Sequence, residues 1–317
     1  MTESGLQPWW IVARSEEVTS REPLSVDIGA QPLVLWRDAE GIARALEDRC
    51  PHRRAPLSLG CIRDDGWIQC GYHGWSYDGA TGRLKQIPNM KGEQRFPPVY
   101  KAQAFAIAES GGFVRVCLDP AAAAPAPEVS TMALSGTAHV AIEQAAWIAA
   151  LYDDPALLID IRGVRFTPYL MSELREEGGL LVMERSCQWA GLHWPAPFSA
   201  DFPITVLTRS DPATGRTELP LRDDQFTTLL TAVIAPVPAA RGVTAVRWRA
   251  EVGRGSGLHG RLLGLGTPFA VREAIDAAAL RRSKPSASTH YDDLRARLAT
   301  SSTPGATAEL SRTPVAA

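Results

Sequence analysis

The sequence predicts an α+β protein in two parts. An all-β domain is expected over residues 1–120, then a linker at 121–128, then an antiparallel sheet with helices over 129–298. Three observations carry this. Between residues 9 and 118, short β-rich runs alternate with turn signals. Residues 119–128, DPAAAAPAPE, form a Pro/Ala-rich break. Beyond it a helical period over 141–160 gives way to strand patterns between 180 and 253.

Taken in order, the runs at 9–12, 33–36 and 66–70 are rich in Trp, Val, Ile and Leu, which suit a pleated, half-buried surface. DAEG at 38–41, RDDG at 63–66 and DGATG at 78–82 are the turns between strands. Trp9, Trp10, Trp36 and Trp67 are expected as core or interface aromatics. In the second part, Ile142, Ala145, Ala146, Ala149 and Ala150 would form the apolar face of a helix. Strands follow at 180–183, 204–207, 229–234 and 243–252, and a helix at 268–282 closes the pattern. Residues 299–317, rich in Ser, Thr, Pro and Ala, are expected to be a disordered tail.

At 317 residues the chain can bury a sizeable core, and 45% hydrophobic content suits a soluble globular protein. A formal net charge of −2 implies neither a nucleic acid nor an anionic membrane as partner. The opening MTESGLQPWW has no basic or apolar leader, and no run of 18 apolar residues occurs. Of five cysteines, Cys61, Cys117 and Cys187 read as reduced thiols, which places the protein in the cytoplasm. No P-loop, dinucleotide fingerprint or nucleophile elbow is found.

The chemistry concentrates in residues 50–75, CPHRRAPLSLGCIRDDGWIQCGYHGW. Cys50-x-His52 is followed, after 17 intervening residues, by Cys70-x2-His73. Two cysteines and two histidines also suit a structural zinc, but zinc fingers usually keep the cysteines in one box and the histidines in the other. One of each per box suits a two-iron cluster, with thiolate on one iron and imidazole on the other. Pro51 stiffens the first box, while Gly71 and Gly74 are expected to let backbone N–H groups approach bridging sulfides.

These boxes, with flanks from PWWIVA at 8–13 to Pro120, resemble the Rieske domain of Rieske-type non-haem iron oxygenases, the aromatic-hydroxylating and demethylating enzymes. The resemblance implies a [2Fe-2S] cluster held by Cys50, His52, Cys70 and His73, with Trp75 shielding it. Respiratory Rieske proteins carry a further cysteine in each box; here those positions are Ala55 and Tyr72, so no disulfide is expected beside the cluster. It also implies a helix-grip second domain with a substrate pocket and a mononuclear iron. Active relatives bind that iron through D-x2-H-x4-H on a long helix, plus a distant carboxylate.

The matching stretch here is WIAALYDDPALLIDIRG, residues 147–163. Counting from Asp153 puts the histidine positions on Ala156 and Ile161; counting from Asp154 puts them on Leu157 and Arg162. Neither register offers an imidazole, and Glu273 matches a glutamate beside the third ligand rather than the ligand itself. The mononuclear Fe(II) is therefore expected to be absent. His139, His193, His259 and His290 are scattered, although His193 with Asp201 is a conceivable rebuilt site. By resemblance, Asp153 or Asp154 would bridge a Rieske histidine of one subunit to the iron histidine of its neighbour; the plain alternative is helix-end solvation before Pro155.

Three readings follow. The first is an electron-transfer and structural subunit fed by a reductase or ferredoxin, working beside a catalytic paralogue in a mixed trimer or as a homotrimer. The second is a catalytic monooxygenase with a rebuilt iron site. The third is a cluster-containing protein whose C-terminal pocket takes a small molecule in a non-oxygenase role.

Overall fold

A computed structural model describes residues 8–90, 95–189, 204–240, 242–253 and 267–275, with Leu263 and Ala296 as isolated positions. The N-terminal part is built from three small antiparallel sheets. One joins Trp10–Arg14, Phe113–Cys117 and Ala106–Ser110; a second joins Leu24–Ile28, Gln31–Arg37 and Ala43–Glu47. The third runs Cys61–Ile62, Ile68–Gln69, Ser76–Tyr77, Leu84–Gln86. Trp36 is fully buried, and its indole N–H donates to the Gly66 carbonyl at 2.9 Å, tying the second sheet to the turn between the first two strands of the third.

The C-terminal part centres on an eight-stranded antiparallel sheet. Its strands from Val164–Leu170 to Thr244–Val252 form a meander, and the earlier strand Leu134–Val140 pairs outside Thr244–Val252. The interior strand Thr228–Pro238 is buried on both faces, and the packing shows why. Ala232 and Ile234 belong to the core that contains the helix residues Trp147, Ile148 and Leu151. On the other face, Val233 and Ala235 pack with Ile11 and Phe113 of the N-terminal part, and Val237 joins the core around Val12 and Val114.

Charged groups reinforce that junction. Arg14 donates to Glu16, Glu17, Ser135 and Thr137, and Arg249 bonds Glu16 and the Gly112 carbonyl. Burial pushes the Glu17 carboxyl up, but the Arg14 N–H, the Thr137 hydroxyl and the Arg14 guanidinium outweigh it and hold the group below its usual range.

Among the described residues Leu263 and Ala296 are helical as isolated positions, and one α-helix is described from end to end, Gln144–Asp153. Its buried side chains are Trp147, Ile148, Ala150, Leu151 and Tyr152, whereas Ala145 is exposed. The larger side chains won the inward face because they remove more apolar area from water than the alanines do. The helix also stops early. Pro155 opens a 3-10 turn, Pro155–Leu157, and Ile159–Ile161 is a strand paired with Phe269–Val271. The helix expected at 268–282 is therefore a strand at its start, and residues 276–282 lie outside the described residues, as does the tail. Among the described residues no helix is long and apolar enough to cross a membrane.

Candidate cluster site

Two loops of the same construction carry the Cys/His boxes. In the first, the Cys50 N–H donates to the Ala55 carbonyl and the Arg54 N–H to the Cys50 carbonyl, both at 2.8 Å. In the second, the Cys70 N–H donates to the Trp75 carbonyl and the Gly74 N–H to the Cys70 carbonyl, both at 2.9 Å. The fifth residue of each loop is left-handed, Arg54 at φ 61° and Gly74 at φ 71°. Glycine suits that conformation, and a Cβ on Gly74 would also strike Pro88 Cγ at 2.6 Å. The Gly74 N–H, expected to face a sulfide, is thus engaged in closing the turn. Gly71 is small because a Cβ there would meet the Leu59 carbonyl oxygen at 2.7 Å.

The second loop is the connection of a hairpin between Ile68–Gln69 and Ser76–Tyr77. The first follows the strand Ala43–Glu47 and is clamped by Asp48, whose carboxylate accepts from the Ser58 N–H at 2.7 Å and from the Ser58 and Ser25 hydroxyls. Asp48 is buried, and it joins the start of the loop to its end.

The four predicted residues come together at the loop tips. Cys50 and Cys70 are each only 2% exposed, while the His52 and His73 rings lie 4.7 Å apart at half-buried positions. Trp75 lies flat on His52, with centroids 4.3 Å apart and planes 1° off parallel. Tyr72 packs on His73 at 3.9 Å. Burial pushes the Cys50 thiol up; the Tyr77 hydroxyl and the His52 backbone pull against it, and Cys70 adds to the push. No disulfide joins any of the five cysteines.

His52 supplies the sharpest test of what this pocket is for. Its Nδ1 is shut off from solvent and has no hydrogen-bond partner. Leaving a polar nitrogen so costs free energy unless something binds it. Two buried thiols and a bare imidazole nitrogen are the donor set of an iron–sulfur cluster with mixed ligands. Among the described residues no group of three or more His, Cys, Asp or Glu side chains is placed to hold a single ion.

Residues 8–101 match the family described as Rieske [2Fe-2S] domain. The N-terminal part of this chain is a Rieske domain. Dicamba O-demethylase, oxygenase component, from Stenotrophomonas maltophilia is 38% identical over 118 residues, 37% of this chain and 33% of that protein. Protein TIC 55, chloroplastic, from Arabidopsis thaliana is 34% identical over 110 residues, 35% of this chain and 20% of that protein. These alignments thus span a fifth to a third of the relatives' length. In fold the likeness is wider. The crystal structure of dicamba monooxygenase bound to dicamba superposes with a TM-score of 0.65 at 19% identity, covering 93% of this chain and 97% of that one. Rieske domain and second domain together share the fold of dicamba monooxygenase.

The second predicted site looks different. Asp153 ends the helix and Asp154 is its C-cap. Ala156 is exposed in the 3-10 turn, Leu157 is half-buried, Ile161 is 1% exposed within a strand, and Arg162 is exposed. The four positions therefore fall on a turn and a strand rather than one helical face. Glu273 and His139 are exposed, and His193, Asp201, His259 and His290 lie outside the described residues.

Two residues were missed from sequence. Tyr77 is fully buried with its hydroxyl 3.2 Å from the Cys50 sulfur, and this contact and burial together raise its pKa. The signal available was its place in the chain, two residues beyond Trp75. Arg185 is 4% exposed and donates to the carbonyls of Tyr152 at 2.5 Å, Asp153 at 3.2 Å and Thr167 at 2.8 Å. It satisfies the end of the helix with a buried cation. An arginine inside the apolar run LLVMERSC was the sign.

Proposed function

We propose that this protein is an electron-transfer and structural subunit of a Rieske-type oxygenase, fed by a reductase or ferredoxin and working beside a catalytic paralogue. Cys50 and Cys70 would hold one iron and His52 and His73 the other. A [2Fe-2S] cluster, when bound, takes up and releases single electrons. Trp75 covers the His52 ring against water, Tyr77 supplies a hydrogen bond to the Cys50 sulfur, and Asp48 keeps the first loop shut. The half-buried His73 edge is the natural exit toward a neighbour.

The observation that carries the non-catalytic reading is the helix end. Where the resemblance calls for two imidazoles, this chain has a proline-broken turn, an apolar strand and the Arg185 guanidinium on the helix carbonyls. A fixed buried cation is an unfavourable neighbour for a metal ion. The whole-chain likeness to dicamba monooxygenase favours a second reading, a catalytic monooxygenase with a rebuilt iron site.

Metal analysis separates the two. About two irons per chain, a Rieske spectrum, and product formed only when a catalytic paralogue is added are expected. A third iron per chain with O2-dependent product from this protein alone would establish the second reading.

A further inference from the structure

Glu128, at the end of the linker, is a carboxylate shared by two arginines. Its Oε2 accepts from Arg115 Nη2 at 2.5 Å and from Arg216 Nη2 at 3.3 Å. Arg115 comes from the strand Phe113–Cys117 of the N-terminal part, and Arg216 directly precedes the strand Thr217–Asp223 of the C-terminal part. Among the described residues neither arginine forms an ion pair with another carboxylate. Asp211, in the same turn as Arg216, is held within that turn by the Ala213 N–H at 2.9 Å and the Thr214 hydroxyl at 2.6 Å.

The sharing leaves both cations half used. Nε and Nη2 form the edge of a guanidinium that grips two oxygens side by side. In each arginine Nη2 meets the single oxygen Oε2, while Nε is shut off from water and has no hydrogen-bond partner. A donor left so costs free energy, and the Arg115 side chain is only 7% exposed. Burial pushes the Glu128 carboxyl up, but the Arg115 hydrogen bond and the Arg216 and Arg115 charges outweigh it, so the group stays ionised. Two cations against one anion still leave an excess positive charge, which the partly exposed Arg216 and Glu128 open to solvent. The backbone leaves room here. The Gly111 N–H donates to the Glu128 carbonyl at 2.8 Å, anchoring the linker independently of the carboxylate. Gly111 is left-handed at φ 62°, and a Cβ there would stand 3.4 Å from Glu128 Oε2.

We propose that Arg115 and Arg216 form a binding site for a tetrahedral oxyanion of the phosphate class, in which the Glu128 carboxylate is a built-in occupant that the ligand displaces. One carboxylate oxygen meets only the two Nη2 donors. A phosphate carries oxygens pointing in several directions, so it can engage the Nε and Nη2 of both forks at once, and its greater charge matches the pair of cations. The Glu128 side chain then turns out to water while the Gly111 bond keeps the linker in place. No covalent bond is made or broken. Because the two arginines come from different parts of the chain, the bound anion clamps the N-terminal part to the C-terminal part. The site is separate from the cluster loops and does not rest on the electron-transfer reading.

The test is calorimetric titration of the cluster-loaded protein with sodium phosphate near neutral pH, at an ionic strength held constant with sodium chloride. Glu128→Ala removes the competitor and is expected to bind phosphate about tenfold or more tightly than wild type. Adding Arg216→Met to that variant should remove the gain. Arg216 is partly exposed, so this substitution keeps the test open even where Arg115→Met fails to fold. Glu177→Ala frees Arg175 from an exposed one-to-one pair and should bind phosphate no better than wild type. Phenyl phosphate distinguishes the source of the ligand: tighter binding than inorganic phosphate assigns the site to a phosphomonoester, and equal or weaker binding assigns it to the free ion. No phosphate binding by Glu128→Ala, no gain over wild type, an equal gain in Glu177→Ala, or a gain that survives Arg216→Met would each overturn the site.

Discussion

The cluster loops and the helix end at 153–162 both gather polar groups, and they are built in opposite ways. Each loop closes on itself within six residues, through a cysteine N–H taking a carbonyl five positions on and a cysteine carbonyl taking an N–H four positions on. All four metal-type donors sit in those two short loops. At the helix end, the corresponding stretch passes from helix to 3-10 turn to strand, and its polar centre is an arginine brought in from another strand. Chemistry held by a short closed loop survives as a motif. Chemistry assembled from several elements depends on where packing ends each of them.

The largest expected effect is on the cluster side. Cys70→Ser should reduce bound iron from about two per chain to near zero, read by iron and sulfide analysis. Retained iron with an unchanged spectrum would show that the loops are not the ligand set. His73→Cys should keep the cluster but lower its reduction potential, by on the order of 200 mV, because thiolate stabilises the oxidised iron more than imidazole does. Redox titration followed by electron paramagnetic resonance checks it, and an unmoved potential would remove His73 from the iron.

The helix side is expected to respond in stability instead. Arg185→Met leaves three carbonyls without their donor and should cost about 2–4 kcal/mol in urea unfolding, with cluster iron unchanged. The same change at exposed Arg175 should cost far less. Loss of cluster iron in Arg185→Met would break the separation between the two regions. The smallest effect belongs to Tyr77→Phe. Removing one hydrogen bond to the Cys50 sulfur, worth roughly 1 kcal/mol, should lower the potential of a one-electron couple by about 40 mV. A rise, or no change, would deny Tyr77 that role.

Much of this was legible in residue order. The two boxes, the turns around them and four strands of the second half, Leu180–Trp189, Ile204–Ser210, Thr228–Pro238 and Thr244–Val252, could be read because each depends on neighbours a few positions away. The inward face of the helix could not. Alanines at a helical spacing predicted one stripe, and the bulk of Trp147, Ile148 and Leu151 selected another. The strand at Phe269–Val271 was read as helix because its partner, Ile159–Ile161, is more than a hundred residues away.

The sequence by itself determined the donors at the loop tips, since thiolates and imidazoles at that spacing need only a tight turn to converge. Only the tertiary structure decided the rest: that Tyr77 reaches the Cys50 sulfur and that Arg185 occupies the helix end. Those arrangements join strands and turns distant in the chain, and packing rather than local spacing brings them into contact.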